Sequence, residues 1–428
     1  MECLDSLIEA TRTVCAGLPD KRRGRNCHYV MVDIGMAAFS VFMTQSPSFL
    51  GHQRQLLEGQ GRSNCQTLFK MTEIPSDNHI RAMLDPIEPS RFHPVFEEAV
   101  RSLEAGGGLG AFRCLGDHIL IALDGTEYHR STKVHCRRCS SVTRSGKAEY
   151  FHAMVEASIV VPGHNHAVPL QPEFIEPQDG NEKQDCESRA CRRWLSGHGA
   201  TYARLKPIYL GDDLYSCQPI CEAVAAVGGD FLFVCKPDSH PTLTEYLTGI
   251  VLDERVESVK RGKQHFRYVY RWMNDLPLRD GDDALRVNWF AIEITDPKGK
   301  VTYRNSFVTS LPVGRDNVIE LAACGRARWK VENETFNTLK TKGYNLEHNF
   351  GHGQANLAAV LTTLNLLAFA CHTVADLVDD LWRTARLKAH TRVGFFNNLR
   401  ALTVFALFPS WRDLLQVLAF QRPMPQPP

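Results

Sequence analysis

The sequence has no strong excess of charge of either sign, no apolar leader and no uninterrupted apolar stretch long enough to cross a bilayer. Its 428 residues include 49 basic and 48 acidic side chains, for a formal net charge of +1. Any contact with nucleic acid must therefore depend on local patches. The most apolar segment, 357–370, is interrupted by Thr362, Thr363 and Asn365, and predicts a buried helix. The acidic N-terminus, Met1 to Asp5, predicts no signal peptide. We expect a protein outside the membrane.

Several well-known motifs are missing or incomplete. Gly106-Gly107-Gly108 is not followed by Gly-Lys-Ser, which excludes a phosphate-binding loop. His348 and His352 have helical spacing, but Gly351 and Gly353 oppose a helix, and no metalloprotease glutamate lies between the histidines. The 14 cysteines are irregularly spaced in a long chain, which argues against a disulfide framework and indicates a reducing, cytosolic compartment.

One half of a zinc motif is present. His135, Cys136 and Cys139, with His152 downstream, have zinc-like spacing on one side only, because no second Cys-x-x-Cys follows. The side chains that could complete it in the fold are Cys186, Cys191 and His129. Two interpretations stay open. One is a structural zinc ion, and the other, which the sequence favours, is reduced thiols beside a hydrogen-bonded histidine.

The N-terminal part, residues 1–115, predicts a helical region. Ser46-Pro47-Ser48 and Ser76 are typical helix starts, with Pro47 expected at the first helical position. A loop beside Pro19 holds four cations in five residues, which are Lys21, Arg22, Arg23 and Arg25. Such a loop could bind several phosphates, or it could be ordinary solvated charge.

From residue 118 onward the pattern predicts an α/β unit. The apolar run 118–123 predicts a buried strand that ends at Asp124-Gly125-Thr126, and the run 207–211 predicts another that ends at Asp212-Asp213. Further β-type runs span 151–161, 167–174 and 231–236, with helices predicted at 182–195 and 218–227. Three strands, a helix, a strand, a helix and a strand is the order of a ribonuclease H-like mixed sheet.

The segments that follow complete the predicted domain organisation. Three β-type segments, 265–272, 286–294 and 301–310, predict a small antiparallel insertion standing beside the core as a separate layer. The predicted units are a helical region at 1–115, the core at 116–240 and 313–350, the insertion at 241–312, and a helical C-terminal region at 351–428. The tail from Pro423 to Pro428 is predicted to be disordered.

A helix predicted at 327–340 carries Arg328, Glu332, Phe336 and Lys340 along one stripe, with Trp329 and Phe336 expected to anchor it. Ordinary ion pairs on a solvated face are one interpretation. The two strand-ending aspartates favour another, because crowded carboxylates repel unless cations compensate. Mg²⁺ prefers carboxylate oxygens, and two such ions can promote phosphodiester chemistry.

Asp124 in Asp-Gly-Thr, Asp212 in Gly-Asp-x-x-Tyr and Glu332 in Arg-x-x-x-Glu together resemble the motifs of DDE transposases of bacterial insertion sequences. The most similar type is the insertion-sequence-four family, which carries a β insertion before the glutamate. The family's tyrosine three residues before the arginine is here Gly325, and the position of its lysine is Leu339, one residue before Lys340. Asp213 and Glu334 are neighbours that could replace Asp212 and Glu332 as ligands; the spacing favours Asp212 and Glu332.

The resemblance implies an enzyme that nicks DNA at the inverted repeats of an element and joins the 3′ ends to target DNA. It implies Asp124, Asp212 and Glu332 as catalytic residues that bind two Mg²⁺ ions, for which Mn²⁺ can substitute. Arg328 and Lys340 would contact phosphates, as the cationic loop would. Double-stranded DNA and a second copy of the chain are the implied partners, in a bacterial cytoplasm beside the nucleoid. Two alternatives are a non-catalytic DNA-binding protein derived from a transposase and a metal-dependent nuclease without strand transfer.

Overall fold

A computed structural model describes residues 3–23, 27–177 and 185–420. Within them the protein is a mixed α/β fold with one 12-stranded mixed sheet, and with helical regions before and after it. Three predicted features lie outside the described residues: Arg25 of the cationic loop, the start of the helix predicted at 182–195, and the tail from Pro423 to Pro428.

The N-terminal region is helical, as predicted. Its described α-helices are Cys3–Ala16 (α1), Met31–Met43 (α2), Phe49–Leu57 (α3), Gly61–Phe69 (α4), Asp77–Leu84 (α5) and His93–Ala105 (α6). Ser48 and Ser76 cap α3 and α5, since their hydroxyls accept the backbone N–H groups of Gly51 and His79. Pro47 therefore precedes the cap, and its predicted place as the first helical residue is wrong.

The central part of the sheet combines antiparallel and parallel pairs. Its strands are Arg113–Cys114 (β1), His118–Ser131 (β2), Ser140–Arg144 (β3), Lys147–Val160 (β4), Val168–Pro169 (β5), Glu173–Ile175 (β6), Pro207–Gly211 (β7) and Asp230–Val234 (β8). The spatial order is β3-β4-β2-β7-β8, with β5 and β6 also pairing with β4. β2 is antiparallel to β4 and parallel to β7, which is parallel to β8. The helices between these strands are Glu187–Trp194 (α7), Ala200–Tyr202 (α8) and Gln218–Ala226 (α9).

The strand that holds Asp124 does not end there, and this prediction is wrong. Pairing with β4 continues past Asp124 to Ser131, which lies opposite Tyr150. The hydrogen-bond ladder of β4 keeps the Asp-Gly pair extended, although the pair is typical of turns. What ends near Asp124 is the pairing with β7, whose last register pair is Ala122 and Leu210.

The insertion continues the central sheet. After the short helix Pro241–Leu247 (α10), its strands are Asp253–Arg261 (β9), Gln264–Pro277 (β10), Arg286–Thr295 (β11) and Val301–Thr309 (β12). They form an antiparallel meander, and β12 pairs with β8, with Phe307 opposite Val234. The expectation of a separate layer is therefore wrong, because the unpaired edge of β8 accepts β12. The edge strand on this side of the sheet is therefore β9 and not β8. Its side chains are mostly exposed and charged, which is typical of sheet edges that are protected from pairing with other chains.

The two faces of the central sheet are buried against different elements. In β2, Ile119, Ile121 and Leu123 face a core shared with the N- and C-terminal helices, whereas Leu120 and Ala122 face a smaller core. That smaller core includes residues of the helix Val318–Arg326 (α11), of a π-helix at Val331–Phe336 and of strands β10 to β12. Period-two alternation therefore places Asp124 on the face covered by the segment that holds Glu332.

The C-terminal region packs against the N-terminal one. Its α-helices are Asn337–Thr341 (α12), Leu357–Val378 (α13), Asp380–Lys388 (α14), Arg392–Phe405 (α15) and Trp411–Phe420 (α16). α13 is long and apolar enough to cross a membrane, but its most apolar window is 94% buried inside the protein, where it packs against α1, α2 and α6. The predicted buried helix is confirmed, although with 22 residues it is longer than predicted.

Candidate functional site

The structure brings the three predicted carboxylate residues to one end of the sheet. Asp212 directly follows β7, and both Asp124 and Asp212 lie two residues beyond the last register pair of β2 and β7. Neighbouring strands are about 4.8 Å apart, so the two aspartates start from adjacent backbone positions. Glu332 lies in the π-helix, over the same face as Asp124. Single-turn π segments inside helices are common at functional sites.

Arg328 bridges two of these carboxylates. Its Nη1 lies 3.0 Å from Glu332 Oε1 and 3.4 Å from Asp124 Oδ2. The residue is 8% exposed, and its buried Nε has no hydrogen-bond partner among the described residues. Arg328 is thus held between the carboxylates instead of extending into solvent. Phe336 is buried as predicted, but Trp329 is 51% exposed and does not anchor the helix.

Buried carboxyl groups crowd this end of the sheet. Burial raises the pKa of Asp124 to about 7; Arg328 opposes the rise, and Glu332, Glu187 and Asp212 add to it. Glu156 lies directly opposite Asp124 on β4 and is fully buried, and burial raises its pKa to about 8. Glu156 Oε1 accepts a hydrogen bond from the Ser158 hydroxyl, but Oε2 has no partner within the described residues. Without a cation, the site therefore holds protons near neutral pH.

Glu187 is a site residue that the sequence analysis missed. It begins α7, on the opposite face of the sheet, and its Oε1 accepts a 2.7 Å hydrogen bond from the Tyr215 hydroxyl. A Cβ added to Gly125 would lie 2.3 Å from Glu187 Oε2, and one added to Gly211 would lie 2.7 Å from the Tyr215 ring. The glycine of each aspartate motif therefore leaves room for one member of the Glu187–Tyr215 pair. This pair connects the two backbone segments that hold Asp124 and Asp212, where β2 and β7 stop pairing with each other.

The neighbouring acidic residues have other partners. Asp213 Oδ1 accepts the Lys236 N–H at 2.6 Å, and its Oδ2 accepts the Ser239 hydroxyl, so this side chain fixes the loop after β8. Glu334 lies 3.9 Å from Lys330 Nζ. Asp212 Oδ1 accepts only the nearby Leu214 N–H among the described hydrogen bonds. These contacts favour Asp212 over Asp213, and Glu332 is favoured over Glu334 because it shares Arg328 with Asp124.

Of the predicted phosphate-binding cations that the structure describes, only Arg328 contacts these carboxylates. Lys340 pairs with Glu347 Oε1 at 2.9 Å, and within the described residues it forms no ion pair with the three carboxylates. In the N-terminal loop, Arg22 donates to both carboxylate oxygens of Asp20 and to the Tyr29 carbonyl, which makes it part of the loop's own structure. Lys21 and Arg23 are exposed.

The structure brings part of the half zinc motif together with a histidine that was not among the predicted completing residues. His135 is exposed and stacks on Tyr150, and it is not among the four side chains that come together. Cys136, Cys139 and His152 come together with His352. Of the predicted completing residues, Cys191 is buried in the main core, Cys186 is exposed, and His129 lies beside the group without joining it.

A cavity of about 990 Å³ lies elsewhere, between α7 and residues 88–93. None of the three carboxylate residues lines it.

No model of a protein family matches the chain, and no curated protein matches it either.

Proposed function

We propose that the protein is a DDE transposase with a ribonuclease H-like catalytic core, in which Asp124, Asp212 and Glu332 are the catalytic carboxylates. The observation that carries this proposal is their convergence. Asp124 and Asp212 extend from adjacent parallel strands, and Arg328 joins Glu332 to Asp124 on one face of the sheet. The order of strands and helices from β2 to β8 supports the ribonuclease H-like assignment.

The donor set fits a hard divalent cation. The site offers carboxylate oxygens, which Mg²⁺ and Mn²⁺ prefer. Burial is the main cause of the raised pKa of Asp124, and the neighbouring carboxylates add to it, so a bound cation would stabilise the charged form. Asp124, Asp212 and Glu332 would hold two ions. When bound, two such ions activate the attacking oxygen and stabilise the leaving oxygen of a phosphodiester.

The surrounding residues prepare the site for this chemistry. Arg328 keeps Asp124 and Glu332 close together while the charge on the carboxylates is uncompensated. Glu187 and Tyr215 position the two strand ends from the opposite face of the sheet. Lys340, Lys21 and Arg23, with Arg25, are the proposed phosphate contacts. Double-stranded DNA is the proposed substrate, and a dimer on DNA would pair the two ends of the element.

The test uses the full chain and a DNA fragment that carries the ends flanking its gene. With Mg²⁺, the protein should nick these ends and join them to a second duplex. Asp124→Asn, Asp212→Asn and Glu332→Gln should each lower cleavage on the order of 1,000-fold or more, while DNA binding persists. Glu334→Gln is the matched control, because Glu334 lies in the same π-helix but pairs with Lys330.

The outcomes separate the proposal from its alternatives. Cleavage without joining would identify a nuclease that lacks strand transfer. Specific binding without cleavage would identify a non-catalytic DNA-binding protein. Full activity of the Asp212→Asn variant, together with loss of activity in Asp213→Asn, would reject the assignment of Asp212.

A further inference from the structure

Two cysteine and two histidine side chains, which are the usual zinc ligands in proteins, meet at one point away from the carboxylates. Cys136 and Cys139 lie in the loop between β2 and β3, His152 lies in β4, and His352 lies in the loop before α13. All four ligand atoms lie within 4.8 Å of one another. Cys136, Cys139 and His152 are buried, and His352 is partly buried.

Four of the six distances between the ligand atoms are close to the edges of a zinc tetrahedron. Zinc bonds of about 2.3 Å to sulfur and about 2.0–2.1 Å to nitrogen place tetrahedral ligands about 3.8 Å apart for two sulfurs and about 3.6 Å apart for sulfur and nitrogen. Here the two Sγ atoms are 3.9 Å apart. His152 Nε2 lies 3.6 Å from Cys136 Sγ and 3.4 Å from Cys139 Sγ, and His352 Nε2 lies 3.4 Å from Cys139 Sγ.

Neither a disulfide bond nor ordinary hydrogen bonding accounts for this arrangement as well as a metal ion does. A separation of 3.9 Å between the Sγ atoms is far longer than a disulfide bond. Thiols are weak hydrogen-bond partners, so two imidazoles gain little by turning Nε2 toward them. In addition, the buried Nδ1 of His352 has no hydrogen-bond partner among the described residues, so no contact of that atom fixes the orientation of the ring.

We propose that Cys136, Cys139, His152 and His352 bind one structural zinc ion. Binding displaces the thiol protons of the two cysteines and leaves both histidines as neutral ligands through Nε2. Four protein ligands close the coordination sphere, which is the pattern of a structural site.

The ion would connect parts of the chain that are far apart in sequence. Cys139 and His352 are separated by 213 residues. His152 belongs to the strand paired with the Asp124 strand, and His352 follows the segment that contains Glu332. The zinc would therefore fasten the outer end of the β2–β4 pair to the segment leading from Glu332 into α13. This inference does not depend on the proposed catalytic function.

The first experiment measures metal in the wild-type chain, purified without chelators. Elemental mass spectrometry should find about one zinc per chain. Protein produced with Co²⁺ in place of zinc should show the intense visible absorption of a tetrahedral, thiolate-bound cobalt ion. Less than about one-tenth of an equivalent of zinc in the folded protein would overturn the proposal, as would iron in its place.

The second experiment changes single ligands. His352→Ala should lose most of the zinc, and because this loop side chain is only partly buried the chain should still fold. His352→Cys should retain zinc as a site with three cysteines and one histidine, with a changed cobalt spectrum. His135→Ala is the matched control, since His135 adjoins Cys136 but stacks on Tyr150. This variant should keep about one zinc per chain. Full zinc content in both His352→Ala and Cys139→Ser would refute the assignment.

Discussion

Replacing Gly125 by alanine tests whether Glu187 occupies the space beside the Asp124 strand. Gly125 lies in an extended strand, so an alanine there meets no backbone strain. The new Cβ would lie 2.3 Å from Glu187 Oε2 and 2.5 Å from its Cδ, which forces the carboxylate to move. Because the Tyr215 hydroxyl donates to that carboxylate at 2.7 Å, the movement breaks this bond. A hydrogen bond to a charged group contributes about 1.5–3 kcal/mol, and we expect the free energy of unfolding to fall by that amount.

Urea unfolding, monitored by tryptophan fluorescence, measures the decrease in the free energy of unfolding. In a Glu187→Ala background the clash and the hydrogen bond are both absent, so Gly125→Ala should then cost little. Gly110→Ala is the control, because a Cβ there meets nothing within 4 Å. An equal cost of Gly125→Ala with and without Glu187 would refute the reasoning. Mg²⁺-dependent cleavage should fall together with stability in the single variant.

Two further predictions concern charge. Replacing Lys21 and Arg23 by alanine should weaken DNA binding and lower the slope of log affinity against log salt by roughly one unit per lost phosphate contact, and an unchanged slope would mark them as solvated charge. Burial raises the pKa values of Asp124 and Glu156 to about 7 and about 8 in the folded protein. As pH rises, the unfolded chain therefore releases these two protons at a lower pH than the folded chain does. The metal-free protein should therefore lose stability as pH rises from about 4 to 8, and urea unfolding of Glu156→Gln should show a shallower loss.

Local patterns in the sequence predicted the elements around the site well. The apolar runs at 118–123 and 207–211 are strands, and both aspartates lie where these strands stop pairing with each other. Alternation along β2 is sufficient to place Asp124 on one face. What the patterns could not predict is the partner of each edge. The turn-like Asp-Gly pair stays extended because β4 pairs with it, and β12 joins β8 because that edge is otherwise unpaired.

The missed residues depend on contacts between distant parts of the chain. In the sequence, Glu187 is an ordinary acidic residue in the first turn of a charged helix. Its side chain can lie beside the aspartates only because Gly125 has no Cβ. His352 follows Cys139 by 213 residues, and no local spacing relates them. A signal was present in the single Cys-x-x-Cys, because a zinc site there would need two more ligands from elsewhere in the chain. The four-residue spacing around Glu332 predicts an ordinary α-helix, so it could not reveal that this segment is a π-helix.

The packing of α2 against α13 has a consequence for synthesis on the ribosome. Almost every side chain of α2 is buried in the finished protein, and His372 of α13 approaches the carbonyl of Met43 from 329 residues further along the chain. At about 5–20 residues per second, α2 leaves the ribosome on the order of tens of seconds before α13 exists. During that interval α2 can pack against α1 and α5, but the surface that α13 later covers stays exposed, so the nascent chain should bind chaperones at its N-terminal end. Completion of this core must therefore wait for α13, and a greater supply of chaperones should raise the yield of folded protein.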